Sequence, residues 1–181
     1  MRQARTIRPF EQGHLDGLCG AYSIINAAHF VCGPLRQADA VALLREIVAL
    51  LDRRVSVVDL LCWGFTLRDV GGAMRHVLDR RYPIRRCHPF RGRASVGLDD
   101  YWATLHRFAA QRRGVVVTAF GGRLEHWTVI RDVTPRCLLL FDSGGRQRVA
   151  RRYCVMASDP PTRRHYILYP TYTYFLWVDP R

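Results

Sequence analysis

The chain has 181 residues, 49% of them hydrophobic, and a formal net charge of +13. That length suits one compact domain with a sizeable core, the expectation for residues 1–181. The longest apolar stretches, VALLREIVALL and VSVVDLLCWGF, are broken by charges and fall short of the roughly 20 residues a bilayer requires, which excludes a helical membrane span.

The N-terminal MRQARTIRPFEQ lacks the apolar segment and cleavage site of a secretory signal. A cytoplasmic protein is the expectation, although the signals of specialised secretion systems escape this reading. The six cysteines (Cys19, Cys32, Cys62, Cys87, Cys137, Cys154) form no CxxC pair or regular framework, so reduced thiols are expected. Nothing in the spacing of Cys87, His88 and Cys137 favours zinc, and neither a metal nor another cofactor is expected.

All 28 basic residues are arginine. A GC-rich genome accounts for this, and also for Asn26 being the only asparagine. The alternative is that a lysine-free chain escapes side-chain amine conjugation and suits a protein working beside a lysine-conjugation system. The excess charge attracts nucleic acid, anionic lipid or an acidic protein without specifying a site. Paired arginines such as Arg53 and Arg54, or Arg151 and Arg152, read as solvated surface.

In chain order, the first helix is expected to begin near Cys19. Ala21, Ile24, Ile25, Ala28 and Val31 recur at three- and four-residue steps with little polar surface, which predicts burial on most sides and a stop before Gly33 and Pro34. Residues 36 to 51 repeat the pattern through Val41, Leu44, Val48 and Leu51. Shorter helices are predicted over 56 to 63 and 69 to 80, and another from Asp99 or Asp100 as N-cap to Arg113, stopped by Gly114. Thereafter VVVTAF, HWTVIRDV, RCLLLFDS, RRYCVMA and two runs within HYILYPTYTYFLWV read as strands between turn signals. A helical half followed by an antiparallel sheet predicts an α+β fold.

Cys19 stands where the loop EQGHLDGL enters the first helix. A helix N-terminus presents N–H groups and partial positive charge to a thiolate. Gly20 is read as permitting close substrate approach, and Gly17 as allowing a tight turn. His126 opens one strand, and Asp142 ends the next, across a TP turn. Antiparallel pairing brings those ends together, so the carboxylate can orient an imidazole that acts on the thiol. Gln12 is the candidate to share an oxyanion site with the Cys19 N–H. The remaining histidines are assigned structural places. Trp127 and residues of the helical middle are expected to line the cleft.

These residues resemble the papain-like cysteine peptidase superfamily, whose sites use Gln, Cys, His and Asn or Asp in that order. QGHLDGLCGAYSIINA looks like the nucleophile segment of the bacteriocin-leader peptidase-like branch, and HWTVI with LLLFDSGG like its histidine and aspartate strands. The resemblance implies a papain-like fold with the nucleophile at the start of the central helix. It makes Cys19 the nucleophile, His126 the general base and acid, Asp142 the orienting carboxylate and Gln12 the oxyanion donor. Ser143 stands where that branch usually has proline, and the Gln12 to Cys19 interval is about one residue longer. Length, motif order and the HW and DS segments are also similar to Josephin-type deubiquitinating domains.

The resulting expectation is a bacterial thiol peptidase acting on a protein or peptide, a ubiquitin-like conjugate among the candidates, through an acyl-enzyme on Cys19. An acyltransferase or deamidase using the same residues, and a non-catalytic basic module binding nucleic acid or an acidic partner, are the alternatives.

Overall fold

A computed structural model describes residues 7–111, 114–163 and 165–179. Helix α1 spans Cys19–Val31, and Ala21, Ile24, Ala27 and Ala28 on it are fully enclosed. It stops ahead of Gly33, whose φ of 95° suits a residue without a Cβ. Helix α2, Gln37–Asp52, turns Leu43, Ile47 and Leu51 inward rather than the face through Val41, Leu44 and Val48 read from sequence, and leaves Val41 41% exposed. Helix α3, Val57–Trp63, starts where the Ser56 hydroxyl accepts from the Asp59 N–H, and ends at Gly64 with φ 79°.

The helix read over 69 to 80 begins earlier, because Thr66 and Asp69 form a reciprocal capping box ahead of α4, Leu67–Ala73. It continues through a π turn, Met74–Leu78, into a short helix α5, Asp79–Arg81. Helix α6 spans Leu98–Gln111. Asp99 and Asp100 are therefore first-turn residues rather than N-caps, placed where acidic groups face unbonded N–H donors. Arg112 and Arg113, at the helix end read from sequence, lie outside the described residues.

Among the described residues eight strands form one sheet: β1 (Ile84–Cys87), β2 (Gly114–Gly122), β3 (His126–Val133), β4 (Cys137–Leu140), β5 (Arg148–Ala150), β6 (Cys154–Met156), β7 (Tyr166–Leu168) and β8 (Tyr174–Val178). The main order is β1-β8-β2-β3-β4-β5, and β7 joins the far end of β2 and carries β6. The fold is α+β, as the pattern predicts.

The sheet differs from the sequence pattern in three ways. Strand β1 comes from the helical half, where four residues between charges carry little periodic signal, and pairs with β8. Strands β6 and β7 run parallel within an otherwise antiparallel sheet. The run read as RRYCVMA opens as a 3₁₀ turn at Arg151–Tyr153, and β5 precedes it.

Helices cover both faces. Val115, Val117, Trp127, Val129 and Leu176 share a core with α1, α2 and α4. Val116, Ile130, Leu138, Leu140 and Phe175 pack with Tyr101, Trp102, Leu105 and Phe108 of α6. Two-sided burial explains why β2 reads as a continuous apolar run rather than an alternating one. Each such enclosed side chain contributes roughly 1.5–3 kcal/mol. Since α1 lies against β2 and β3, its N-terminus is held at the edge of the sheet where β3 begins.

Candidate active site

Cys19 is the first residue of α1 and is half-buried. The first N–H groups of a helix have no partner within it, so the thiol sits among donors that face outward. Asp16 shapes the approach: one carboxylate oxygen accepts from the Leu18 N–H at 3.1 Å and the other from the Gly13 N–H at 3.0 Å.

Gly17 and Gly20 serve packing rather than the roles read from sequence. The Gly17 N–H donates to the Leu61 carbonyl at 2.7 Å, and a Cβ there would lie 2.8 Å from the Gly64 nitrogen. A Cβ on buried Gly20 would lie 2.6 Å from the Phe65 Cβ. Glycine at both positions lets the segment after α3 seat directly on the nucleophile loop.

His126 and Thr128, two residues apart and hence on one face of β3, converge on the same carboxylate oxygen. Asp142 Oδ1 accepts from the Thr128 hydroxyl at 2.6 Å and lies 2.8 Å from His126 Nε2. Its Oδ2 accepts from the Gly144 and Arg146 N–H groups at 3.0 and 3.2 Å. Asp142 lies in the turn just beyond β4 rather than in the strand, and is 3% exposed, so all four contacts come from protein. Burial pushes its carboxyl up, but the His126 bond and charge, with the Thr128 and Arg146 donors, outweigh that and hold it below the usual range.

With Nε2 committed to Asp142, His126 has Nδ1 left for its contact with Cys19. Burial lowers the imidazole pKa, yet the hydrogen bonds to Asp142 and Cys19 and the charges of both raise it to about 9. At neutral pH the ring is therefore an imidazolium between carboxylate and sulfur. The Trp127 N–H also points at the Cys19 sulfur, 3.5 Å away. Among the other thiols, burial pushes Cys32 up to about 11 and Cys154 up to about 12, which keeps both protonated.

Gln12 is tied to the aspartate loop. Its side-chain oxygen accepts from the Ser143 hydroxyl at 3.0 Å, its backbone N–H donates to the Ser143 carbonyl at 3.1 Å, and its amide N–H reaches the Asp16 carbonyl at 3.4 Å. Ser143, the departure from the resembled pattern, is thus the residue that anchors Gln12. His126 and Asp142 are in direct contact, Cys19 lines the cleft with His126, and Gln12 is linked to the loops on either side.

The cleft in front of Cys19 has a volume of about 300 Å³. It is lined by Trp63, Gly64 and Phe65 together with Trp127, Tyr169 and Tyr172. Trp127 is fixed by its indole N–H, which donates to the Phe65 carbonyl at 2.8 Å, and by the Tyr172 ring 5.7 Å away. Trp127 was expected at the cleft; Tyr169 and Tyr172 were not, because only the pairing of β7 and β8 with β2 carries them there. A cue for Trp63 was available: a bulky apolar residue just before glycine at a helix end, which stands 86% exposed.

Elsewhere, His29 accepts from the Leu35 N–H at 2.8 Å and lies 3.1 Å from the Arg8 carbonyl, and His88 lies 2.7 Å from the Thr171 carbonyl. Among the described residues no group of three histidine, cysteine or acidic side chains is arranged to hold a metal ion, and no helix is long and apolar enough to cross a membrane. No family model matches this chain, and no curated protein or solved structure is significantly similar to it.

Proposed function

We propose that this chain is a papain-like thiol peptidase that cleaves a peptide or isopeptide bond through an acyl-enzyme on Cys19. The observation that carries this reading is the shared placement of one thiol and one imidazolium. Cys19 opens a helix and lines the same cleft as His126, whose pKa is raised to about 9 and whose ring is backed by a buried carboxylate.

The chemistry follows from those roles. With the single proton of the pair on His126, the Cys19 sulfur adds to the substrate carbonyl, and the developing oxyanion turns toward the Cys19 backbone N–H, Gln12 being the candidate side-chain donor. His126 gives its proton to the leaving amine as the C–N bond breaks, leaving a thioester. A water molecule, deprotonated by His126, then resolves the thioester and releases the acid. Asp142 keeps the ring oriented and balances its charge throughout. The small volume and largely aromatic lining, with Ala119 and Gly121 among it, favour an extended segment with small side chains beside the scissile bond. The glycine-rich tails of ubiquitin-like conjugates have that character.

The deciding experiment is intact-mass analysis after a low dose of iodoacetamide, with Cys19→Ala and His126→Ala in parallel, followed by peptide and ubiquitin-like fluorogenic amides. Single modification at Cys19, slowed at least tenfold in His126→Ala, with hydrolysis abolished in Cys19→Ala, is the expected result. Slow labelling spread over several cysteines, or hydrolysis surviving Cys19→Ala, would overturn the reading.

A further inference from the structure

A second concave surface, about 990 Å³ in volume, lies where β4, β5 and the turn before β6 meet α6. Five arginines line it: Arg123, Arg136, Arg148, Arg151 and Arg152. Chain topology assembles them. Strands β4 and β5 pair Cys137 with Ala150 and Leu139 with Arg148, and the Arg151 N–H donates to the Arg136 carbonyl at 2.8 Å. Residues far apart in sequence are thereby gathered on one concave face, and none of the lining residues is acidic. Asp99 pairs with Arg151 from an almost fully exposed position.

Three of these guanidinium groups also lie over aromatic rings. Arg151 lies over the Trp102 ring at 5.3 Å, Arg152 over Tyr153 at 4.8 Å, and Arg123 over Tyr166 at 5.8 Å. Arg146 approaches the same Tyr166 ring at 5.7 Å and donates to its hydroxyl at 3.1 Å. Stacking restricts these guanidiniums while leaving edge N–H groups to meet an anion, although Arg151 commits one to Asp99 and Arg146 one to the Tyr166 hydroxyl.

We infer that this cavity is a binding site for a compact polyphosphate, a small molecule carrying several clustered phosphates. Its size falls within the usual range for small-molecule sites, and its chemistry is that of multivalent phosphate recognition. A nucleic-acid strand fits less well. Strand binding relies on free aromatic faces for the bases, whereas Trp102 and Tyr166 are 2% and 5% exposed and carry arginines on their rings.

The site is separate from the cleft but shares a loop with it. Arg146, which reaches Tyr166 in the cavity wall, also gives its backbone N–H to Asp142.

The test is isothermal titration of the full chain with inositol hexakisphosphate and with ATP at about 150 mM salt, tripolyphosphate serving as the bare-phosphate arm. Micromolar binding of at least one, weakened tenfold or more by Arg148→Glu with Arg152→Glu, is the expected result; the arm that binds most tightly identifies an inositol-type or nucleoside-type source. The same charge change at two exposed arginines elsewhere, Arg53→Glu with Arg75→Glu, is expected to alter affinity less than twofold. The inference is overturned by binding no tighter than millimolar, by equal losses in the two double variants, or by a single-stranded RNA of about 20 nucleotides outcompeting every polyphosphate. Unchanged thermal melting of the Arg148 and Arg152 variant separates a lost site from a lost fold.

Discussion

The cleft at Cys19 and the arginine cavity beside β5 draw on neighbouring parts of one sheet, yet their charges are handled in opposite ways. In the cleft the charged pair is enclosed: the His126 and Asp142 side chains are 9% and 2% exposed, and every carboxylate acceptor site is filled. In the cavity Arg148 and Arg152 stand exposed and have no carboxylate among their neighbours in its lining. Buried charge is costly unless it is paired, so the cleft must be complete for the fold to tolerate it. Exposed arginines cost the fold little, so their clustering is free to serve a ligand.

The contrast predicts different consequences for substitution. Asp142→Asn should have the largest effect. It removes the counter-charge of an enclosed imidazolium and turns an amide toward donors, which is expected to cost about 3 kcal/mol of stability and 10²- to 10⁴-fold in thiol-dependent turnover. Chemical denaturation and a pH–rate profile whose upper limb moves below about 9 would report both. Unchanged stability would show that the pair is not as enclosed as described.

Substitutions at the loop seats come next. Gly17→Ala and Gly20→Ala should have comparable effects, because the Cβ at 17 meets Gly64 backbone at 2.8 Å and that at 20 meets the root of the buried Phe65 side chain at 2.6 Å. Both are expected to fall in the range of about 1–3 kcal/mol, read as a shift in denaturant midpoint, and to slow Cys19 alkylation as the Phe65 wall moves.

The pH dependence of stability follows from the raised pKa of His126. The stability it contributes is fully present below the unfolded value of 6.5 and is lost as pH rises toward about 9. The change is on the order of 3 kcal/mol. Melting temperatures at pH 6.5 and pH 9.5 should differ accordingly, and His126→Gln should abolish most of the difference. Asp142 works in the other direction: its lowered pKa gives stability present above the ordinary carboxylate value and lost as pH falls through the depressed one.

The smallest effects belong to the exposed positions. Arg148→Ala and Trp63→Ala are each expected to change stability by less than about 0.5 kcal/mol. They should part in function, Trp63→Ala raising KM for peptide substrates and Arg148→Ala leaving it unchanged. A stability loss above about 1 kcal/mol in either would break the comparison.

Much of the arrangement was legible in sequence because it depends on local rules. The alternation of small and branched apolar residues with almost no polar face announced an enclosed α1 beginning at Cys19, and the TP turn placed the start of β3 beside the end of β4. Those two local facts were enough to bring His126 and Asp142 together. Local rules could not reveal that Ser143 would anchor Gln12, because a hydroxyl beside a turn is also a common turn former. Nor could they assign Gly20 to Phe65, since a glycine's neighbour in space leaves no mark in the sequence around it.

The sequence by itself determined the α+β division, the helix and strand periods, and the order of the reactive residues, all properties of neighbours within a few positions. Only the tertiary structure decided that Trp63 and Tyr169 would line one cleft and that Arg136, Arg148 and Arg151 would share one cavity. Those outcomes depend on strand order, on which strands meet across long intervals, and on which surfaces close against them. Such pairings are selected by burying both faces of the sheet at once, a condition that acts on the whole chain.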